Sequence, residues 1–87
     1  MYRIVYSRIT AKQTVNLKAA KLEQKVKTLL ELLRQNPFQN PPPYEKLVGE
    51  LKTAYSRRIN AQHRLVYQVF EEEKTIKIVS MWTHYEF

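Results

Sequence analysis

All four prolines of this 87-residue chain fall between Asn36 and Tyr44, in NPFQNPPPY, and they divide it into halves with different periodicities. Proline cannot donate a backbone hydrogen bond and disfavours helical geometry in the residue before it, so a helix entering this segment must end near Asn36. Upstream, Leu22, Val26, Leu29, Leu30 and Leu33 recur at i, i+4, i+7, i+8 and i+11, which aligns them on one face of a helix. Lys21, Lys25, Lys27 and Arg34, with Glu23 and Glu31, take the remaining surface. Pro41–Pro43 favour an extended polyproline conformation, a stiff connector within one domain. Downstream the pattern is β: YSRRIN, HRLVYQVF and TIKIVSMW, separated by Ala61–Gln62 and Glu71–Lys74, predict two hairpins. Apolar residues at both parities, such as Leu65, Val66 and Tyr67, predict a sheet buried on parts of both faces.

The front of the chain completes the pattern. Tyr2–Tyr6 (YRIVY) is short, β-branched and aromatic and reads as a strand. Ser7 or Thr10 can cap a first helix through Ala11 to Leu17, with Val15 and Leu17 as its larger apolar groups. Strand, helix, helix and three-strand meander define a single α+β domain over residues 1–87. Its two helices, both in the N-terminal half, pack on one face of a small, mainly antiparallel twisted sheet, leaving the other face to a ligand. A composition of 44% hydrophobic and 26% charged residues is that of a globular chain.

Charge narrows the function. Residues 1–64 hold thirteen basic and four acidic groups, whereas residues 65–87 hold two basic and four acidic ones, and there is no aspartate. A basic front of this kind suits a polyanion, nucleic acid first. The chain has no cysteine for disulfides or thiolate zinc sites, and a single glycine, Gly49, where a phosphate-binding loop needs several. His63 and His84 are the only histidines and no HExxH motif occurs, so neither a metal nor another cofactor is expected. No apolar run is long enough for a signal peptide's core or a membrane span, so a cytoplasmic location without membrane association is expected. What remains is basic and aromatic: Arg57, Arg58 and Arg64 lie in or beside strands with Tyr55, Tyr67, Trp82 and Tyr85. Guanidinium forks can hold phosphates and aromatic rings can stack on bases; equally, such arginines can be solvated and Tyr67 and Trp82 can be core. On residue type alone, Glu45 and His84 read as ordinary surface groups.

The run SRRINAQHRLVY (Ser56–Tyr67), together with the closing His84–Tyr85, resembles the YoeB/Txe toxins of the RelE superfamily of bacterial type II toxin–antitoxin systems. The resemblance extends over nearly the whole chain, through the starting strand, two helices, the NPF stop and the proline-rich approach to Glu45. It implies a microbial-ribonuclease-like fold and a toxin that cuts translated mRNA in the A site of the 70S ribosome until a cognate antitoxin, of the YefM/Axe kind, neutralises it. By the same resemblance Glu45 matches the catalytic carboxylate, Arg64 the phosphate-stabilising arginine, His84 the catalytic histidine and Tyr85 the terminal tyrosine. The resemblance also makes Arg58 a substrate-phosphate contact, Arg57 and Tyr55 of the basic and aromatic set are expected to contact RNA with it, and a homodimer is expected.

Metal-independent RNA cleavage needs a base for the ribose 2′-hydroxyl, positive charge against the phosphorane, and an acid for the departing 5′-oxygen. Glu45, Arg64 and His84 suit those tasks in turn. The products would be a 2′,3′-cyclic phosphate or 3′-phosphate and a 5′-hydroxyl. The competing reading is a non-catalytic ribosome- or RNA-binding inhibitor of translation that uses the same side chains. The sequence departs from the family pattern at Val48, where a lysine is common, and at Thr53–Ala54–Tyr55, where a glycine–aromatic pair is common, and Glu86 and Phe87 follow the tyrosine.

Overall fold

The computed structural model describes residues 1–49 and 53–82. Strand β1 (Arg3–Tyr6) leads into α1 (Arg8–Ala19) and α2 (Glu23–Gln35), followed by β2 (Glu45–Lys46), β3 (Ala54–Arg58), β4 (Arg64–Phe70) and β5 (Thr75–Ser80). The strands form one sheet in the order β1-β5-β4-β3-β2. The expected meander β3-β4-β5 is antiparallel, β2 adds an antiparallel edge, and β1 pairs in parallel with β5. The two-residue β2 was absent from the sequence reading, because Glu45–Lys46 carries no alternation long enough to register as a strand.

Helix α1 starts earlier than predicted. Ser7 is its N-cap residue, but its side chain does not cap: the hydroxyl donates to the Val79 carbonyl at 3.1 Å, and Thr10 Oγ1 donates back to the Ser7 carbonyl at 2.6 Å. The Ser7 hydroxyl thus ties the helix entrance to β5. The buried positions of α1 are Thr10, Gln13 and Leu17, whereas Val15, one of its larger apolar groups, is 71% exposed. Thr10, Gln13 and Leu17 are spaced i, i+3 and i+7, a helical face that polar residues hid from a hydrophobicity-based reading. The helices join through Lys21 at φ +60°, a left-handed residue that reverses the chain, and Leu22 donates its N–H to the Leu17 carbonyl.

Helix α2 follows its periodicity, burying Val26, Leu29 and Leu33. Asn36 ends it as expected, its side chain accepting the Phe38 N–H at 3.0 Å. The proline segment departs from the polyproline expectation: the Asn40–Pro41 and Pro41–Pro42 peptides are cis.

The helices meet the sheet through Leu17, Val26, Leu29 and Leu33 on one side and Leu65, Tyr67, Val69, Ile76 and Ile78 on the other. Each such side chain contributes about 1.5–3 kcal/mol when fully buried. The opposite face carries a smaller apolar cluster of Leu47, Ala54 and Val66 with Val79 packed against it. Strand β4 therefore buries alternate residues on opposite faces, as its mixed parity predicted. Between β4 and β5 the register shifts at Val66/Tyr67, so that Val66 lies opposite Ser80 and Tyr67 opposite Ile78. This bulge-like irregularity falls near the end of β5, just before Met81 and Trp82.

Candidate active site

Strand pairing assembles the site. Glu45 lies opposite Ser56 and Arg58 opposite Arg64, while Tyr55 and Arg57 point to the helix-covered face with Tyr67 and Leu65, their cross-strand partners. Glu45, Ser56, Arg58 and Arg64 consequently share the open face. With Pro43 and Tyr44 they line a cleft of about 300 Å³. Arg64 Nη1 stands 3.9 Å from Glu45 Oε2 and donates to Ser56 Oγ at 3.4 Å. The Arg64 side chain is 22% exposed and that of Glu45 65%. A pair this open adds at most about 1 kcal/mol to stability. At 3.9 Å the pair is also too long for a hydrogen bond, which leaves the carboxylate oxygens able to accept a proton from a ligand hydroxyl. The cleft thus presents a base-capable carboxylate beside two guanidinium groups that can meet a phosphate.

Two of the expected RNA contacts are placed elsewhere. Arg57 is 1% exposed and turned inward. Its guanidinium donates to the carbonyls of Pro42 (2.6 Å), Gln39 (2.8 Å) and Pro37 (3.0 Å), and its Nε donates to the Tyr67 hydroxyl (3.0 Å). Its donors are committed to the protein interior, which corrects the expectation that it grips RNA. The signal was present in parity: Arg57 alternates with Tyr55 and Ile59, both apolar, and so belongs to their face. Tyr55 is half-buried, stacked on Tyr67 at 5.9 Å and packed edge-on against Phe38 and Tyr44. This ring belongs to an aromatic cluster on the helix-covered face and is not among the residues that line the cleft. Burial pushes the Tyr67 phenol above its ordinary range despite the nearby Arg57 charge, and the group stays protonated. Pro43, Tyr44 and Ser56 are cleft residues that sequence reasoning passed over.

His84 and Tyr85 lie outside the described residues. The chain leading toward them is fixed at two points. Gln13 Oε1 accepts the Met81 N–H at 2.7 Å and its Nε2 donates to Ser80 Oγ at 3.2 Å. Beyond it, the Trp82 ring stacks on His63, centroids 4.0 Å apart and 17° from parallel, and the Trp82 carbonyl accepts from His63 Nδ1. His63 immediately precedes Arg64. Among the described residues no three His, Asp or Glu side chains converge as a metal site, and no helix is long and apolar enough to cross a membrane.

The architecture is that of small bacterial toxins of the RelE/YoeB fold. A YoeB/ParE toxin from Agrobacterium tumefaciens superposes with a TM-score of 0.84 at 25% identity, over 95% of this chain and 99% of that one. The toxin of a YoeB–YefM complex from Staphylococcus aureus superposes with a TM-score of 0.79 at 33% identity, over 98% and 99%. In sequence, a YoeB toxin from Synechocystis is 33% identical over 66 residues, which cover 76% of this chain and 74% of the relative. The family model described as the YoeB-like toxin of bacterial type II toxin–antitoxin systems matches residues 11–85. The chain belongs to this family.

Proposed function

We propose that this chain is a ribosome-dependent mRNA endoribonuclease that cuts translated message in the A site, in the cytoplasm, and is silenced by a cognate antitoxin. The observation that carries the reading is the Glu45–Arg64 pair, 3.9 Å apart beside Arg58 in a cleft on the open face of a YoeB-family fold. In this reading Glu45 takes the proton from the ribose 2′-hydroxyl, and the 2′-oxygen attacks phosphorus as the P–O5′ bond breaks. Arg64, with Arg58, meets the charge that builds on the phosphoryl oxygens. His84 delivers the proton to the departing 5′-oxygen, a task an imidazole can perform as a general acid, and Tyr85 lies beside it in sequence. The match of residues 11–85 to the YoeB-like toxin family supports assigning that role to His84. The products are a 2′,3′-cyclic phosphate, opened later to a 3′-phosphate, and a 5′-hydroxyl. The YoeB–YefM complex of Staphylococcus aureus supports an antitoxin of the YefM kind as partner, and a YoeB dimer from the same organism supports self-association.

Mapping of RNA 5′ ends in a translation reaction, with and without ribosomes, tests the reading. Discrete cuts that require both ribosomes and His84 are expected, the latter checked with His84→Ala. Translational arrest with intact message would instead establish the non-catalytic inhibitor.

A further inference from the structure

Arg57 is a buried cation whose Nη1 and Nη2 groups donate to a loop. That loop, Pro37–Pro43, holds four prolines and so lacks four of the N–H groups with which a loop satisfies its own carbonyls. The carbonyls of Pro37, Gln39 and Pro42 are met by the guanidinium of Arg57, and the Tyr44 ring lies 4.9 Å from it. Tyr44 is joined directly to Glu45. Strand β2, which carries Glu45, has only two paired residues, Glu45 opposite Ser56 and Lys46 opposite Tyr55, extended by a Leu47 N–H bond to the Ala54 carbonyl. So short an edge strand has little to fix it on its own. A buried charge is costly to desolvate, and an apolar side chain would fill the same space without that cost. What the apolar side chain lacks is a planar fork that meets several carbonyls at once.

We propose that Arg57 is the positioning residue of the nuclease: it clamps the proline loop so that the Glu45 carboxylate is held at its distance from Arg64. This rests on the nuclease reading above. Arg57 acts through Glu45 and does not touch RNA. Tyr67 is the clamp's anchor, its hydroxyl accepting from Arg57 Nε, and its raised pKa keeps it a neutral partner.

The test is single-turnover cleavage on programmed ribosomes by wild type, Arg57→Lys, Glu45→Gln and the double variant, each first checked for folding by circular dichroism. Lysine keeps the charge but not the fork. Arg57→Lys is expected to cut about 100-fold more slowly at saturating ribosomes, the scale of a misplaced catalytic group, with half-saturation changed less than about twofold. In the Glu45→Gln background the same substitution is expected to cost less than about threefold, since the group it positions is already disabled. An equal loss in both backgrounds, a loss confined to half-saturation, or no loss overturns the clamp while leaving the nuclease standing. A wild-type chain that makes no cuts overturns the nuclease reading and the clamp together. Should Arg57→Lys fail to fold, Tyr67→Phe carries the test. It is expected to slow cutting about tenfold in the wild-type background but not in Glu45→Gln, and tenfold in both overturns the proposal.

Discussion

Tyr67→Phe probes the buried polar centre without disturbing the packing around it. The ring stays, so no cavity opens, and the change is confined to one hydroxyl that is wholly buried and accepts from Arg57 Nε at 3.0 Å. Its own donation to the Pro37 carbonyl is long, 3.4 Å, and that carbonyl keeps a better donor in Arg57 at 3.0 Å. The loss therefore reduces to one hydrogen bond to a charged donor, with a guanidinium N–H left buried and unpaired, a cost of about 1.5–3 kcal/mol. A chain of this length has a total stability on the order of 4–13 kcal/mol, so the variant should fold with a visible deficit. Urea unfolding should move to a midpoint lower by about 1 M with an unchanged slope. The same variant tests the titration. Because the folded phenol is held above its ordinary value, the unfolded chain loses this proton first, and wild-type stability falls as pH rises through about 10 toward the folded value. Tyr67→Phe should lack that component of the alkaline decline. A midpoint shift below about 0.3 M, with the alkaline slope intact, would refute the reasoning that this hydroxyl completes the coordination of Arg57.

Three other substitutions address separate parts of the account. Glu45→Gln, at an exposed position, should leave the urea midpoint nearly unchanged but lower the single-turnover cleavage rate by about 10²–10⁴-fold. Leu33→Ala removes a fully buried side chain of α2 and should cost about 2–5 kcal/mol by the same denaturation assay, because the gap between helix and sheet refills only partly. His63→Ala withdraws the partner stacked on the only tryptophan, so intrinsic fluorescence should shift to the red and cleavage should slow; an unmoved spectrum would contradict the anchoring of Trp82.

Much of the architecture was legible because its signals are local. The α2 face from Leu22 to Leu33 needs only helical periodicity, and its end is dictated by Pro37. The meander follows from three β-rich runs and two polar breaks. Helix α1 was read less fully, since its buried face is built on Thr10, whose hydroxyl donates to the Ser7 carbonyl, and on Gln13, whose amide bonds to Ser80 and Met81 at the end of β5. The partners of Gln13 are nearly seventy residues away in sequence, and no window of α1 contains them. The cleft divides in the same manner. Glu45, Arg58 and Arg64 were singled out through the family resemblance, and the strand register places all three on one face. Arg57 and Tyr55 were assigned to RNA by residue type, whereas the pleat turns them inward. The fate of the adjacent arginines Arg57 and Arg58 is decided by a period of two, which residue type does not encode. The carbonyls that claim Arg57 come from the proline loop, a long-range partnership visible only once the chain is folded.

The central claim is that the cleft promotes attack by a ribose 2′-hydroxyl on the adjacent phosphate. Its most direct test is cleavage on programmed ribosomes of two otherwise identical messages, one carrying a single 2′-deoxynucleotide at the mapped cut. The account predicts that the deoxy substitution abolishes cutting at that bond and that the all-ribose message yields a cyclic or 3′-phosphate and a 5′-hydroxyl. Cutting of the deoxy message at an undiminished rate would contradict it, because a nucleophile other than the 2′-oxygen would then be at work.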